Sequence, residues 1–259
     1  MEKVVYILGA GFSAPLGLPV MDNFYSKSKD MYFNDPDKYG YFKGVIKKID
    51  ELSKIKNYYK TDLFNIEEIL SILEMERYVS KRKTQKEIVN YIKAVIEYYT
   101  PKIKDSINLV ADLPRNWTDH LFGPKPWSYF GAFFSCIHNF KYIYMGELSR
   151  QSIIRVRNTK INTEYSIITL NYDAIPEDFC KFINNSFRKT NSEDIISFNT
   201  SKMPEKGSNF VESSLSKLHG CVTKDIIPPT WNKIASKEII VAWKIAYKLL
   251  SEVNHIRIL

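Results

Sequence analysis

Cysteine is scarce in this sequence. Three of 259 residues, Cys136, Cys180 and Cys221, stand far apart. No C-x-x-C pair exists, so a four-cysteine zinc ribbon is excluded on ligand count and no metal is expected. Each cysteine is expected to be a reduced, small apolar residue. Long apolar runs are also missing. None approaches the roughly 20 residues that cross a bilayer, so no membrane partner is expected. The opening Met1, Glu2 and Lys3 lead straight into the first apolar run. No signal peptide is therefore read there, and a cytoplasmic location is expected. Internal repeats and low-complexity tracts are absent, which sets solenoids aside. A single-sign charge patch is lacking too. The formal charge is +8, but the lysines are spread along the chain. That pattern reads as a solvated surface rather than a nucleic-acid face.

What remains is an ordinary globular composition, 44% hydrophobic and 25% charged. The length suffices for one large α/β domain carrying an insert.

Residues 4–8, Val-Val-Tyr-Ile-Leu, form a short apolar run suited to a strand buried on both faces. Gly9 and Gly11 follow directly, and Ala14 completes a G-x-G-x-x-G/A spacing. Such glycines let backbone N–H groups approach a pyrophosphate, and a helix starting near Ser13 would turn its positive end toward it. The spacing alone also suits a simple turn. A dehydrogenase would add a second strand ending in Asp or Glu about 20 residues on. Asp22 and Asp30 end no apolar run, so that class is disfavoured.

A second tight loop, Gly17-Leu18-Pro19, precedes a helix that Asp22 is placed to cap. A lysine-rich helix is expected over 42–53. Asn65 with Glu68 reads as a capping box for a helix whose apolar face is Ile66, Ile69, Leu70 and Leu73. Another helix is expected over 85–99, and an aromatic one over 127–140. His138 lies in that last helix and reads as a satisfied core residue; His120 has no identifiable partner. The span from about 23 to 150 thus reads as a helical insertion without clear strands.

Strand character returns over 165–170 and ends in Asn171, Tyr172 and Asp173. A helix follows over 176–187. A short strand over 215–219 ends in His219 and Gly220, and a helix is expected over 236–253. The last residues, 256–259, resemble the opening of another strand, and continuation beyond Leu259 is expected. The fold class is therefore α/β, a Rossmann-like parallel sheet in one domain with a large helical insertion after the first strand. Ligands in such sheets sit outside the carboxyl ends of the strands, so Asn171 and Asp173 should share a crevice with residues 9–13.

Three strand-end motifs, Gly9-Ala10-Gly11-Phe12-Ser13, Thr169-Leu170-Asn171-Tyr172-Asp173 and Leu218-His219-Gly220, resemble in order and spacing the sirtuin family. In particular they resemble the zinc-free sirtuin-like domains that break down NAD in bacterial antiphage defence. Ile66-Glu67-Glu68 and residues 228–233 look like that branch as well. The resemblance implies NAD as substrate, held by Gly9, Ala10, Gly11, Phe12, Ser13 and Asp22. It implies that Asn171 positions the nicotinamide ribose and a water, that Asp173 lies close to the nicotinamide, and that His219 contacts ribose hydroxyls and serves as base. It also implies a homo-oligomer of unspecified number and a fused or separate sensor module.

Two departures bear on activity. The zinc cysteines of deacylase sirtuins are missing, and Asp22-Asn23-Phe24-Tyr25 replaces their Phe-Arg context. A further G-Y-S type motif would fall beyond Leu259. The expected reaction is hydrolysis of the bond between nicotinamide and ribose C1′, giving nicotinamide and ADP-ribose. A nearby carboxylate would stabilise the oxocarbenium-like transition state. Histidine, whose unperturbed pKa is about 6.5, suits a base at neutral pH, and His219 is the candidate. Taken singly, Asn171 also suits a turn, Asp173 a helix cap and His219 a buried hydrogen bond. The alternatives are a nucleotide-sensing module without turnover and a protein deacylase or ADP-ribosyltransferase.

Overall fold

A computed structural model describes residues 2–54, 66–79, 85–102, 125–145, 150–155, 163–186, 196–200, 213–228 and 236–259. Four strands form a parallel sheet in the order β5-β4-β1-β6. They are β1 (Glu2–Leu8), β4 (Thr163–Thr169), β5 (Leu215–Lys217) and β6 (His255–Ile258). β1 and β4 pair in register from Glu2 opposite Thr163 to Leu8 opposite Thr169. β6 lies on the other side of β1, with Val5 opposite Ile256.

The near-continuous apolar character of β1 follows from burial on both faces. Val5 joins Ile168 and Leu218 beneath Ile245, Ala246 and Leu249 of α9 (Lys237–Glu252). Leu8, Ile167 and Leu215 face the larger core on the opposite side. That core is filled by α2 (Met21–Asn34), α5 (Ile66–Val79), α6 (Gln85–Tyr99), α7 (Trp127–Ile137) and α8 (Ile175–Ser186). Tyr91 of α6 is fully buried there, and its hydroxyl donates to Ser28 Oγ at 2.7 Å. The short α1 (Ala10–Ser13), α3 (Pro36–Tyr39) and α4 (Lys43–Ser53) complete the helices before α5. Among the described residues, no helix is long and apolar enough to cross a membrane.

The α/β class and the parallel sheet agree with the sequence reading, but the insertion is not free of strands. β2 (Phe140–Met145) and β3 (Arg150–Arg155) form an antiparallel hairpin inside it. The aromatic helix ends at Ile137, three residues before the expected end. Asn139, at φ 60, turns the chain out of the helix. Aromatic and β-branched residues from Phe140 onward then suit a pleated strand better than a helix. At α2, the expected cap Asp22 instead sits inside the first turn. Val20 is the N-cap, and Asn23 Oδ1 accepts from the Val20 N–H at 2.9 Å. Asn65 and His120 lie outside the described residues, as does the 229–235 part of the Pro-rich segment. His138 is buried, with Nε2 3.2 Å from Cys180 Sγ, as a core histidine should be.

Candidate active site at the ends of strands 1 and 4

Thr169, Asn171, Tyr172 and Asp173 each do a distinct job at the carboxyl end of β4. Thr169 Oγ1 donates to the Leu8 carbonyl at 3.2 Å, tying β4 to β1. The same oxygen accepts from the Asn171 N–H at 3.0 Å. The Asn171 side chain then crosses to the glycine turn. Its Nδ2 donates to Gly9 O at 2.8 Å and to Ser13 Oγ at 3.1 Å. Because a backbone carbonyl only accepts, the amide orientation is fixed, and Oδ1 is the atom left to meet a ligand. The Ser13 hydroxyl in turn donates to Asp173 Oδ2 at 2.8 Å. Asp173 Oδ1 accepts from the Ile175 N–H at 3.1 Å, at the start of α8.

The result is a chain from a half-buried amide to a buried hydroxyl and carboxylate, with Ser13 and Asp173 2% and 4% exposed. Beneath it lies Lys217, the last residue of β5. Its ammonium donates to the Asp173 carbonyl, reaches Glu177 Oε1 at 3.0 Å and lies 3.4 Å from Cys221 Sγ. Burial opposes the Lys217 charge. The nearby Glu177, Cys221 and Asp173 outweigh that and hold its pKa above the ordinary lysine value.

His219 follows β5 in a turn made by Gly220, whose φ is 85. A Cβ there would run into the Asp225 carbonyl, so the turn requires glycine. Tyr172 fixes this loop from β4. Its carbonyl accepts from the Val222 N–H at 2.9 Å, and its hydroxyl donates to Ile227 O at 2.8 Å. The Tyr172 and His219 rings lie 5.8 Å apart at an interplanar angle of 32°. Burial, and then the charge of Glu67, hold the Tyr172 hydroxyl above its ordinary pKa.

These groups open onto one cavity of about 280 Å³. Gly9, Ala10, Ser13, Asn171, Tyr172, Asp173 and His219 line its polar side. Leu18 to Met21 and Phe24 supply one apolar wall, and Ile66, Leu70, Ile92 and Ile96 another. Six of the nine residues singled out in the sequence therefore meet here. Gly11, Phe12 and Asp22 fall off the wall. Phe12 turns into the aromatic core, with ring centroids 4.8 Å from Phe130 and 5.3 Å from Phe133. Asp22 is exposed on α2, rotated away from Met21 and Phe24, which face the cavity at helical spacing.

The glycine turn is partly committed. The Gly9 N–H donates to Leu259 O at 3.1 Å, and the Gly9 carbonyl accepts from Phe12 N–H at 3.0 Å. A Cβ on Gly11 would meet nothing within 4 Å, so no protein neighbour accounts for that glycine. Sequence reasoning did not assign a role to Tyr172 or Glu67, nor did it bring α5 and α6 to the site; it brought α2 there through Asp22 rather than through Met21 and Phe24. Their signal was limited to an amphipathic pattern and an acidic first turn. Among the described residues, no group of three or more His, Cys, Asp or Glu side chains is gathered to hold a metal.

Fold and site together define an α/β protein with a strand-end cavity of polar floor and apolar walls. No family model and no curated protein matches the chain.

Proposed function

We propose that the cavity binds the nicotinamide ribose of NAD and that the chain hydrolyses the bond between them. One observation carries this reading: the carboxamide of Asn171, the imidazole of His219 and the glycine turn, widely separated in sequence, line one cavity. The cavity lies just below the lower end of the 300–1,000 Å³ range typical of whole-ligand pockets, about right for a ring and its sugar. The adenosine half would then extend past Ala10 and Gly11, where the absent Cβ leaves space for a diphosphate.

In this reading the apolar walls from α2, α5 and α6 exclude water from the nicotinamide. As the C–N bond lengthens, positive charge passes from the pyridinium ring to the ribose, and nicotinamide leaves neutral. Asn171 Oδ1 accepts from the attacking water or a ribose hydroxyl and fixes its direction. His219 takes the proton that the water loses as it bonds to C1′. The products are nicotinamide, ADP-ribose and one proton. Resemblance to NAD-depleting defence domains agrees with this chemistry and adds the biological role as part of the proposal. So do the suggested homo-oligomer and sensor module.

The test is to incubate the purified chain with NAD and follow nicotinamide. Release that His219→Ala suppresses supports hydrolysis. Binding without release, by wild type and variants alike, identifies a sensing module instead. Label on polypeptide or loss of an acyl group from a peptide identifies transfer or deacylation.

A further inference from the structure

We infer that Glu67, rather than Asp173, presents the negative charge that faces the nicotinamide end of the ligand. It thereby makes the cavity selective for the oxidised, positively charged dinucleotide. The inference rests on the reading of the site as an NAD site and names the group that recognises its charge.

Asp173 is poorly disposed for the task. It is 4% exposed, and both carboxylate oxygens are committed, one to Ser13 and one to the Ile175 N–H. The Lys217 ammonium beside it further offsets its charge. A carboxylate so bound holds the architecture of the strand ends and has little left to offer a cation.

Glu67 stands at another part of the same lining. It is exposed, lies in the first turn of α5 and lines the same cavity as the β4 end. Its neighbours in the lining, Ile66 and Leu70, are buried and apolar, so a ligand seated against them displaces water and lessens the screening of that charge. Burial first, and then the charge of Glu67, hold the Tyr172 hydroxyl above its ordinary pKa, so the carboxylate acts on this end of the cavity. Tyr172 in turn lies against His219. A cation held in the cavity would therefore share it with the Glu67 carboxylate as well as with the Asn171 and His219 groups. The helix dipole explains an acidic residue in the first turn of α5, but Glu68 satisfies that preference equally and is not on the cavity wall. The same carboxylate would stabilise the oxocarbenium-like charge as the bond breaks.

The experiment compares two dinucleotides by calorimetry. One is a carbocyclic NAD analogue that keeps the pyridinium charge but cannot be hydrolysed. The other is NADH, whose reduced ring is neutral. Wild type is expected to prefer the charged analogue by roughly ten- to a hundredfold, the scale of one charge pair at intermediate dielectric. Glu67→Gln, which keeps size and hydrogen bonding, should level that preference and slow nicotinamide release from NAD. Glu68→Gln should retain both. If Glu67→Gln keeps the preference, the inference fails while the NAD reading stands. If wild type binds neither dinucleotide, the NAD reading fails and takes the inference with it.

Discussion

The Ser13 hydroxyl donates to Asp173 Oδ2 at 2.8 Å across 160 residues of chain. This one bond locks the glycine turn after β1 to the loop after β4, and Asn171 Nδ2 donates to the same hydroxyl at 3.1 Å. Both partners are nearly inaccessible to water, so losing either leaves the other unsatisfied. Ser13→Ala is expected to cost about 1–3 kcal/mol, the penalty for stranding a buried partner. For a chain of this size each kcal/mol moves Tm by about 2–4 °C. Differential scanning calorimetry checks it; an unaltered melt would show that the Ser13 bonds carry no stability.

The glycine turn separates ligand effects from folding effects. Gly11 lies inside α1, where alanine stabilises a helix by about 0.5–1 kcal/mol over glycine, and a Cβ meets no protein atom. Gly11→Ala should therefore melt at or slightly above the wild-type temperature, while Gly11→Val should bind NAD at least tenfold more weakly. Equal affinity for NAD in Gly11→Val would remove the turn from the binding site.

Gly220 makes the opposite case. Its φ of 85 and the collision of any Cβ with the Asp225 carbonyl require glycine for the protein's own sake. Gly220→Ala should destabilise by more than about 1 kcal/mol, beyond the usual gain from a stiffer unfolded chain. It should also reduce nicotinamide release, because His219 rides on that turn. Urea unfolding at equilibrium measures the first effect, and the m-value shows whether the native state stays compact.

Substituting the proposed base or the proposed water-orienting amide should separate activity from stability to different degrees. His219→Ala should lower release about 10²–10⁴-fold, the usual worth of a general base, with little change in melting. Asn171→Ala should abolish release too, but with some loss of stability, because Gly9 O and Ser13 Oγ lose a donor. Parallel rate and melting measurements decide the matter, and full activity in either variant would sink the mechanism.

Lys217 gives a pH dependence of defined sign. Its folded pKa is raised above the unfolded value of about 10.4, so the charged form is favoured by folding. The associated stability is complete below that value and is lost as pH rises through the folded pKa. Acidification through the neutral range should leave it intact. Lys217→Met should remove this alkaline dependence. It should also destabilise toward the low end of about 3–5 kcal/mol at pH 7, because Glu177 is part-exposed and can recover some hydration. Urea titrations at pH 7 and above pH 11 are the measurement.

Much of the architecture was written locally. The continuous apolar run of β1, the β4 run into Asn171, and the faces of α5, α6 and α9 follow from side-chain period and burial. The glycine turn and the strand-end polar residues could likewise be read as site candidates, since open parallel sheets bind ligands at their carboxyl ends. The β2–β3 hairpin could not, because an aromatic run fits a buried helix or a strand until Asn139 takes a positive φ. Nor could the fate of Phe12 and Asp22, which depends on which side of each helix meets a neighbour.

The sequence by itself determined the element types at the sheet and the polar groups available at its ends, because periodicity and turn chemistry act over a few residues. Only the tertiary structure decided that Asp173 is bound up by Ser13 and Ile175, that Gly9 faces the Leu259 carbonyl, and that Glu67 reaches the cavity from a distant helix. Those relationships arise when packing the apolar faces brings far segments together, and no local pattern encodes the distance at which their polar atoms then meet.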